Sequence, residues 1–160
     1  HDTVTFTCSH TDEQAKTEWL PIMERPVMQD LGAPQHPQPL DRYFALSDTA
    51  GHCKADFAEL IALFTPDARL EPAGGPVIQG TTALREFFLD FFARNVDSHH
   101  LWRTRTQEED RANPDANRVV VDWAVAVRRS SGDLAALAGT DTADLAPDGR
   151  IARLRVVVRS

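Results

Sequence analysis

Three stretches of the chain repeat apolar residues at helical spacing. Leu40, Tyr43, Phe44 and Ser47 share one stripe, with Asp41 suited to a first turn and Gly51 just past the end, so the spacing predicts a helix from about 40 to 49. Phe57, Leu60, Ile61 and Phe64 at i, i+3, i+4 and i+7 predict a second helix, with Asp56 early in it and Pro66 as its stop. A third begins at Thr81 or Thr82 and carries a wide aromatic stripe, Leu84, Phe87, Phe88, Phe91 and Phe92, with Arg94 and Asn95 in its last turn. Between the second and third, Ala68 to Glu71 and Val77 to Ile78 read as two short strands around Pro72 and a Gly-Gly-Pro turn.

Beyond Ser98 the period changes to two. Runs at about 99–108, 117–129, 134–145 and 150–158 are joined by Asn-Pro-Asp, Ser-Gly-Asp and Pro-Asp-Gly turns, which predicts an antiparallel meander. In the run from Arg118 to Arg129, Val119, Val121, Trp123, Val125 and Val127 fall on one face, and Val120, Asp122, Ala124, Ala126 and Arg128 on the other. The bulky face is expected against the helices. The other face is small and apolar apart from Asp122, a composition suited to a second subunit, so a homodimer through the outer sheet face is expected. Three helices feeding a strongly curved, mixed and mainly antiparallel sheet of four to six strands give an α+β, cone-shaped half-barrel. Its third helix lies across the concave face and its wide end is left as a pocket. Residues 1–39 are polar and proline-punctuated, with a short helical possibility from Glu13 to Met23, and read as an extension ahead of a domain at 40–160.

Composition narrows the function. A chain of 160 residues has room for one catalytic domain, and 42% hydrophobic with 26% charged residues is ordinary for a folded protein. Seventeen Lys and Arg against 24 Asp and Glu, net −7, argue against a nucleic-acid partner, which needs a concentrated basic face. No apolar run suits a membrane span and no leader pattern opens the chain. Cys8 and Cys53 match no disulfide framework and no C-x-x-C spacing, so free thiols and a reducing, cytoplasmic setting are expected. No metal cluster, nucleotide motif or Gly-rich phosphate loop stands in the sequence, and a cofactor-independent site is expected.

The order of these pieces resembles the nuclear transport factor 2-like superfamily, in its SnoaL-like and ketosteroid-isomerase-like branch. The likeness rests on Arg42-Tyr43-Phe44-Ala45-Leu46 and on the stretch from Ala58 through Phe64-Thr65-Pro66-Asp67-Ala68. It continues in Gly80-Thr81-Thr82-Ala83-Leu84-Arg85-Glu86-Phe87-Phe88 and in Asp148-Gly149-Arg150-Ile151. These motifs specify a fold more than a reaction, because the family holds isomerases, cyclases, dehydratases, epoxide hydrolases and binding modules. Asp67 reads as a turn residue and Gly80 as the opening of the third helix.

The resemblance implies a carboxylate base beside a carbonyl, with a tyrosine and a neutral aspartic acid holding the enolate oxygen, as in ketosteroid isomerase. Tyr43 and Asp141 match the oxygen-holding pair, and Glu71 lies near the base, where the family carries aspartate. Asp141 shares a face with Leu137, Gly139, Ala143 and Leu145, where an isolated charge is too costly, so it must be neutral, paired or cavity-solvated. Dehydratase-like relatives imply instead a histidine base at the start of the strand after the third helix, oriented by an aspartate. His99 and His100 are neighbours on that strand and point to opposite faces, so one of them enters the pocket. His100 shares a face with Trp102 and is preferred; Asp48 is the candidate to orient it, although it stands off the family's aspartate position. Trp123, Trp102, Phe88 and Phe91 are candidates for the pocket wall, and Arg103 and Arg105 face away from Trp102. The acidic run Glu108-Glu109-Asp110 reads as a hairpin end. The expected activity is acid/base isomerisation or cyclisation of a small hydrophobic carbonyl compound, polyketide or steroid-like. Its rivals are a non-catalytic binding or dimerisation module and a His-dependent lyase.

Overall fold

The computed structural model describes residues 37–106 and 117–159. The chain divides into two units, His1–Gln38 and Pro39–Ser160, and every element below belongs to the second. Helix α1 spans Asp41–Thr49, α2 Lys54–Ala62 and α3 Thr81–Arg94. The strands are β1 Phe64–Glu71, β2 Ile78–Gln79, β3 Asn95–Thr104, β4 Arg118–Arg129, β5 Leu134–Leu145 and β6 Ile151–Arg159. The expected helix from Glu13 to Met23, the acidic run at 108–110 and the Asn113-Pro114-Asp115 turn lie outside the described residues.

The six strands form one sheet in the order β2-β1-β6-β5-β4-β3. β1 and β6 run parallel and every other neighbouring pair runs antiparallel. With three helices against this curled, unclosed sheet, the architecture is the α+β cone that the sequence pattern predicts. The helices keep their expected inner faces: Tyr43, Phe44, Leu46 and Ser47 are buried on α1, Phe57, Leu60 and Ile61 on α2, Leu84 and Phe88 on α3. Burying such side chains is worth about 1.5–3 kcal/mol each, and Phe44, Leu46, Leu60, Leu84, Val121 and Leu154 are almost wholly removed from water. Gly80 caps α3 at φ 90°, a backbone that favours glycine.

Two boundaries differ from the sequence reading. Phe64, placed by its spacing on the second helix, opens β1 instead. Pro66 therefore lies inside a strand, which is tolerated because the β1/β6 register slips between Phe64 and Arg69 and no regular ladder bond is required there. The strand after α3 begins at Asn95 rather than 99, directly off the helix. Cys53 is corrected outright: it is disulfide-bonded at the N-cap of α2, where the Asp56 N–H donates to its Sγ at 3.4 Å. The expectation of a free Cys53 thiol, and with it the expectation of a reducing compartment, lapses. The other cysteine, Cys8, lies outside the described residues. No helix among the described residues is long and apolar enough to cross a membrane.

The outer sheet face is more mixed than its β4 segment suggests. Ala124, Ala126, Ala136 and Ala138 are exposed there beside Leu101 and Val157, but ion pairs flank them, Arg118 with Asp144 and Arg105 with Asp122.

Candidate active site

A cavity of about 560 Å³ opens between the concave sheet face, α1, α3 and the Pro72–Pro76 loop. Its wall is mostly apolar, with Phe87, Phe88, Phe91 and Phe92 from α3 and Val125, Val127, Val156 and Val158 from the sheet. Among the sequence candidates, Tyr43, His100, Trp123, Phe88, Phe91 and Asp141 line it. Trp102 and Glu71 do not. Trp102 stacks on Phe44 with centroids 5.5 Å apart and donates its Nε1–H to Asp41 Oδ1 at 2.9 Å, so it serves as a wedge between α1 and β3. The Glu71 carboxylate is taken by Arg153 at 3.0 Å and by Arg155 at 3.3 Å. The Arg153 hydrogen bonds hold it below the usual range against a smaller opposing push from burial, with the Arg153 and Arg155 charges assisting.

Alternation on β3 turns His100 inward and His99 out to solvent. The His100 ring is fixed by Asp48, which projects from the last turn of α1. Nδ1–H donates to Asp48 Oδ1 at 2.5 Å, the His100 backbone N–H to Oδ2 at 2.9 Å, and Ser98 Oγ to Oδ1 at 3.0 Å. Burial pushes the Asp48 carboxyl up, but these hydrogen bonds and the imidazole charge together outweigh it, so its pKa is lowered. An ionised Asp48 accepting from Nδ1 holds the imidazole in the tautomer whose Nε2 is free to take a proton. The side chains of both partners are mostly buried, 11% and 17% exposed, which protects the pair from screening. Asp48 reaches His100 from α1, 52 positions earlier in the chain. Ser98, which no sequence signal singled out, supplies its third donor.

Asp141 is 2% exposed on β5. Desolvation drives its carboxyl up to about 7, partly offset by the hydrogen bond from Trp123 Nε1 at 2.8 Å. It is therefore largely an un-ionised acid at slightly acidic pH, able to donate. Tyr43, also buried, is raised by desolvation and by Asp141, with a smaller opposing hydrogen bond from Ser47, and remains a protonated donor. The indole of Trp123 links the two halves of the site: its Nε1 reaches Asp141, and its ring lies 6.3 Å, edge to face, from His100. Gly139 makes this possible. A Cβ there would meet Trp123 Cζ2 at 2.5 Å and the Val157 carbonyl closer still, so only glycine lets the indole lie against β5. A lone glycine opposite tryptophan in adjacent period-two runs was the signal for it.

Among the described residues no three His, Cys, Asp or Glu side chains gather where they could hold a metal ion. The site's chemistry is that of one oriented imidazole, one carboxyl raised into the neutral range and one phenol around a mostly apolar chamber.

Comparison with known proteins bears on the family and the fold. Residues 40–154 match the model of the SnoaL-like domain. An NTF2-like protein of unknown function from Exiguobacterium sp. 255-15 is similar at 27% identity, with 77% of this chain and 99% of that chain covered and a TM-score of 0.67. SalBIII, an epoxide hydrolase/cyclase-like enzyme in pyran ring formation in the polyether salinomycin, is similar at 19% identity, over 86% of this chain and 95% of that one, at a TM-score of 0.61. A candidate polyketide cyclase from Pseudomonas putida is similar at 14% identity, over 76% and 89%, at a TM-score of 0.59. At these identities the last two speak for the fold alone. No curated protein matches the chain.

Proposed function

The chain belongs to the SnoaL-like family, and from that membership we propose that it is a cofactor-independent acid/base enzyme acting on a small hydrophobic carbonyl compound of polyketide or steroid-like size. The observation that carries the reading is the opening of the Asp48-held His100 and the buried Asp141 onto one aromatic chamber. A binding module needs apolar walls and one orienting donor; two ionisable groups in complementary states are what proton transfer needs. His100 Nε2 removes a proton from the carbon beside the carbonyl. The resulting imidazolium is stabilised by Asp48, and Asp141 with Tyr43 donates to the oxygen on which the enolate charge develops. Returning the proton to another carbon completes an isomerisation; attack of the enolate carbon on a second carbonyl, which takes up the proton, completes a cyclisation. Glu71, committed to two arginines, has no part in this scheme.

The same dyad favours a second reading, a His-dependent lyase. There His100 takes the carbon-bound proton and a hydroxyl on the next carbon leaves as water with a proton from Tyr43 or Asp141. The exposed alanines of the outer sheet face, with Leu101 and Val157, support a homodimer through that face.

The test is deuterium exchange at the acidic carbon of beta-tetralone, followed by proton NMR. The wild type should accelerate exchange over an equal concentration of free imidazole, and His100→Gln or Asp141→Asn should each lose about a hundredfold. Exchange no faster than with imidazole, or unchanged in both variants, overturns the proposal.

A further inference from the structure

The strand-borne arginines of β4 and β6 divide sharply. Arg118 meets Asp144, Arg128 approaches Asp97, Arg153 and Arg155 share Glu71, and Arg159 pairs with Asp122. Arg129, last residue of β4, pairs with no carboxylate among the described residues, in a chain with more acids than bases. It also has the inward parity of Val121, Trp123, Val125 and Val127, and it lines the cavity. The other guanidinium on the wall, Arg94, is held by Asp90 at 3.2 Å, and the Asn95 amide is spent on the Phe91 carbonyl at the end of α3. The wall of this mostly apolar chamber thus carries one guanidinium without a carboxylate partner among the described residues.

Its distance from the chemistry is set by register. His100 is paired with Val125 and Asn95 with Arg129, so Arg129 stands four residues, about 13 Å, along the strand from the imidazole. Val127 and Val158 line the wall with Phe91 and Phe92.

We infer that the ligand of this site is an amphipathic acid, whose apolar body fills the aromatic chamber and whose carboxylate is held by Arg129 on the wall, roughly 13 Å from the carbon facing His100. A guanidinium fork matches a planar carboxylate in two parallel hydrogen bonds, so it selects for the acid and fixes which end enters first. The inference rests on the cavity being the substrate site proposed above and adds the polarity of the substrate's far end.

The test is calorimetric titration of the full chain with dodecanoate, its methyl ester and dodecan-1-ol. None of these has a carbon acid strong enough for the exchange assay, so the result is read independently of proton transfer. Dodecanoate should bind about tenfold tighter than the ester or the alcohol. That preference should vanish in Arg129→Met and Arg129→Gln and persist in part in Arg129→Lys. Equal affinities for the three ligands, no binding of any, or a preference that survives loss of the guanidinium overturns the inference. Faster tetralone exchange without a dodecanoate preference removes Arg129 as the anchor and leaves the proton-transfer reading standing. A dodecanoate preference without exchange does the reverse.

Discussion

Asp122 and Asp141 sit one register step apart on adjacent strands, Asp122 opposite Thr140 and Asp141 opposite Val121, yet they face opposite sides of the sheet. On the outer face Asp122 accepts two hydrogen bonds from Arg105, at 2.9 Å each, one from Thr140, and one from Arg159. The Arg105 hydrogen bond, with Thr140 and two cationic charges behind it, outweighs partial burial and lowers its pKa to about 2. On the inner face Asp141 has an indole N–H and no cation, and burial raises it to about 7. One residue type serves as a permanent anion in a surface ion cluster and as a protonatable acid in a chamber. The difference is supplied by the neighbours, which is why residue identity and spacing alone mark Asp141 as unusual without assigning its state.

The largest way to break this contrast is Asp141→Asn. A buried acid whose folded pKa lies above its unfolded value binds its proton more tightly when folded, so its contribution is fullest below about pH 4 and is lost as pH rises through about 7. From 3.8 to about 7 the linked free energy is on the order of 4 kcal/mol. Urea unfolding of wild type and variant across that window should shift in the variant's favour by about this amount as pH rises. A difference that stays constant with pH would mean that Asp141 is not held neutral.

Asp122→Asn should give the opposite profile and a smaller effect. A depressed folded pKa contributes stability above the unfolded value near 3.8 and loses it as pH falls through about 2. The cluster is partly solvated, with Arg159 more than half exposed, so screening reduces its worth to about 1–2 kcal/mol. The loss should be flat from about pH 5 to pH 8 and should shrink in molar salt, where the Asp141 effect persists. A pH-dependent loss in the neutral range would contradict the assignment.

The same contrast explains what was legible in the sequence. The period-two runs and the aromatic stripe of α3 state their faces directly, so the cone and its bulky inner wall follow from spacing. The alternation at His99 and His100 likewise selects the inward imidazole. Contacts between distant segments are another matter. Asp48 joins His100 across 52 positions and Arg153 reaches Glu71 across 82, and no local pattern encodes such pairs. Glu71 in particular follows an alternating stretch into a turn, where its partners on a parallel strand cannot be read. Phe64 differs because its helical spacing lost to the pairing of β1 with Ile151 on β6.

Trp123→Phe gives the smallest and most selective change. The indole N–H donates to Asp141 and favours its ionised form, so removing that donor while keeping an aromatic wall should raise the Asp141 pKa further above its present value of about 7. Phenylalanine also fills less of the space beside Gly139, and a water entering there would solvate the carboxylate and lower the pKa instead. Carbon-13 NMR of the aspartate carboxyls, with Asp141→Asn for assignment, separates the two effects. An upward shift identifies the hydrogen bond as the link between Trp123 and the acid. A downward shift identifies the indole's main role as excluding water, and then the proton on Asp141 depends on how completely the substrate fills the chamber.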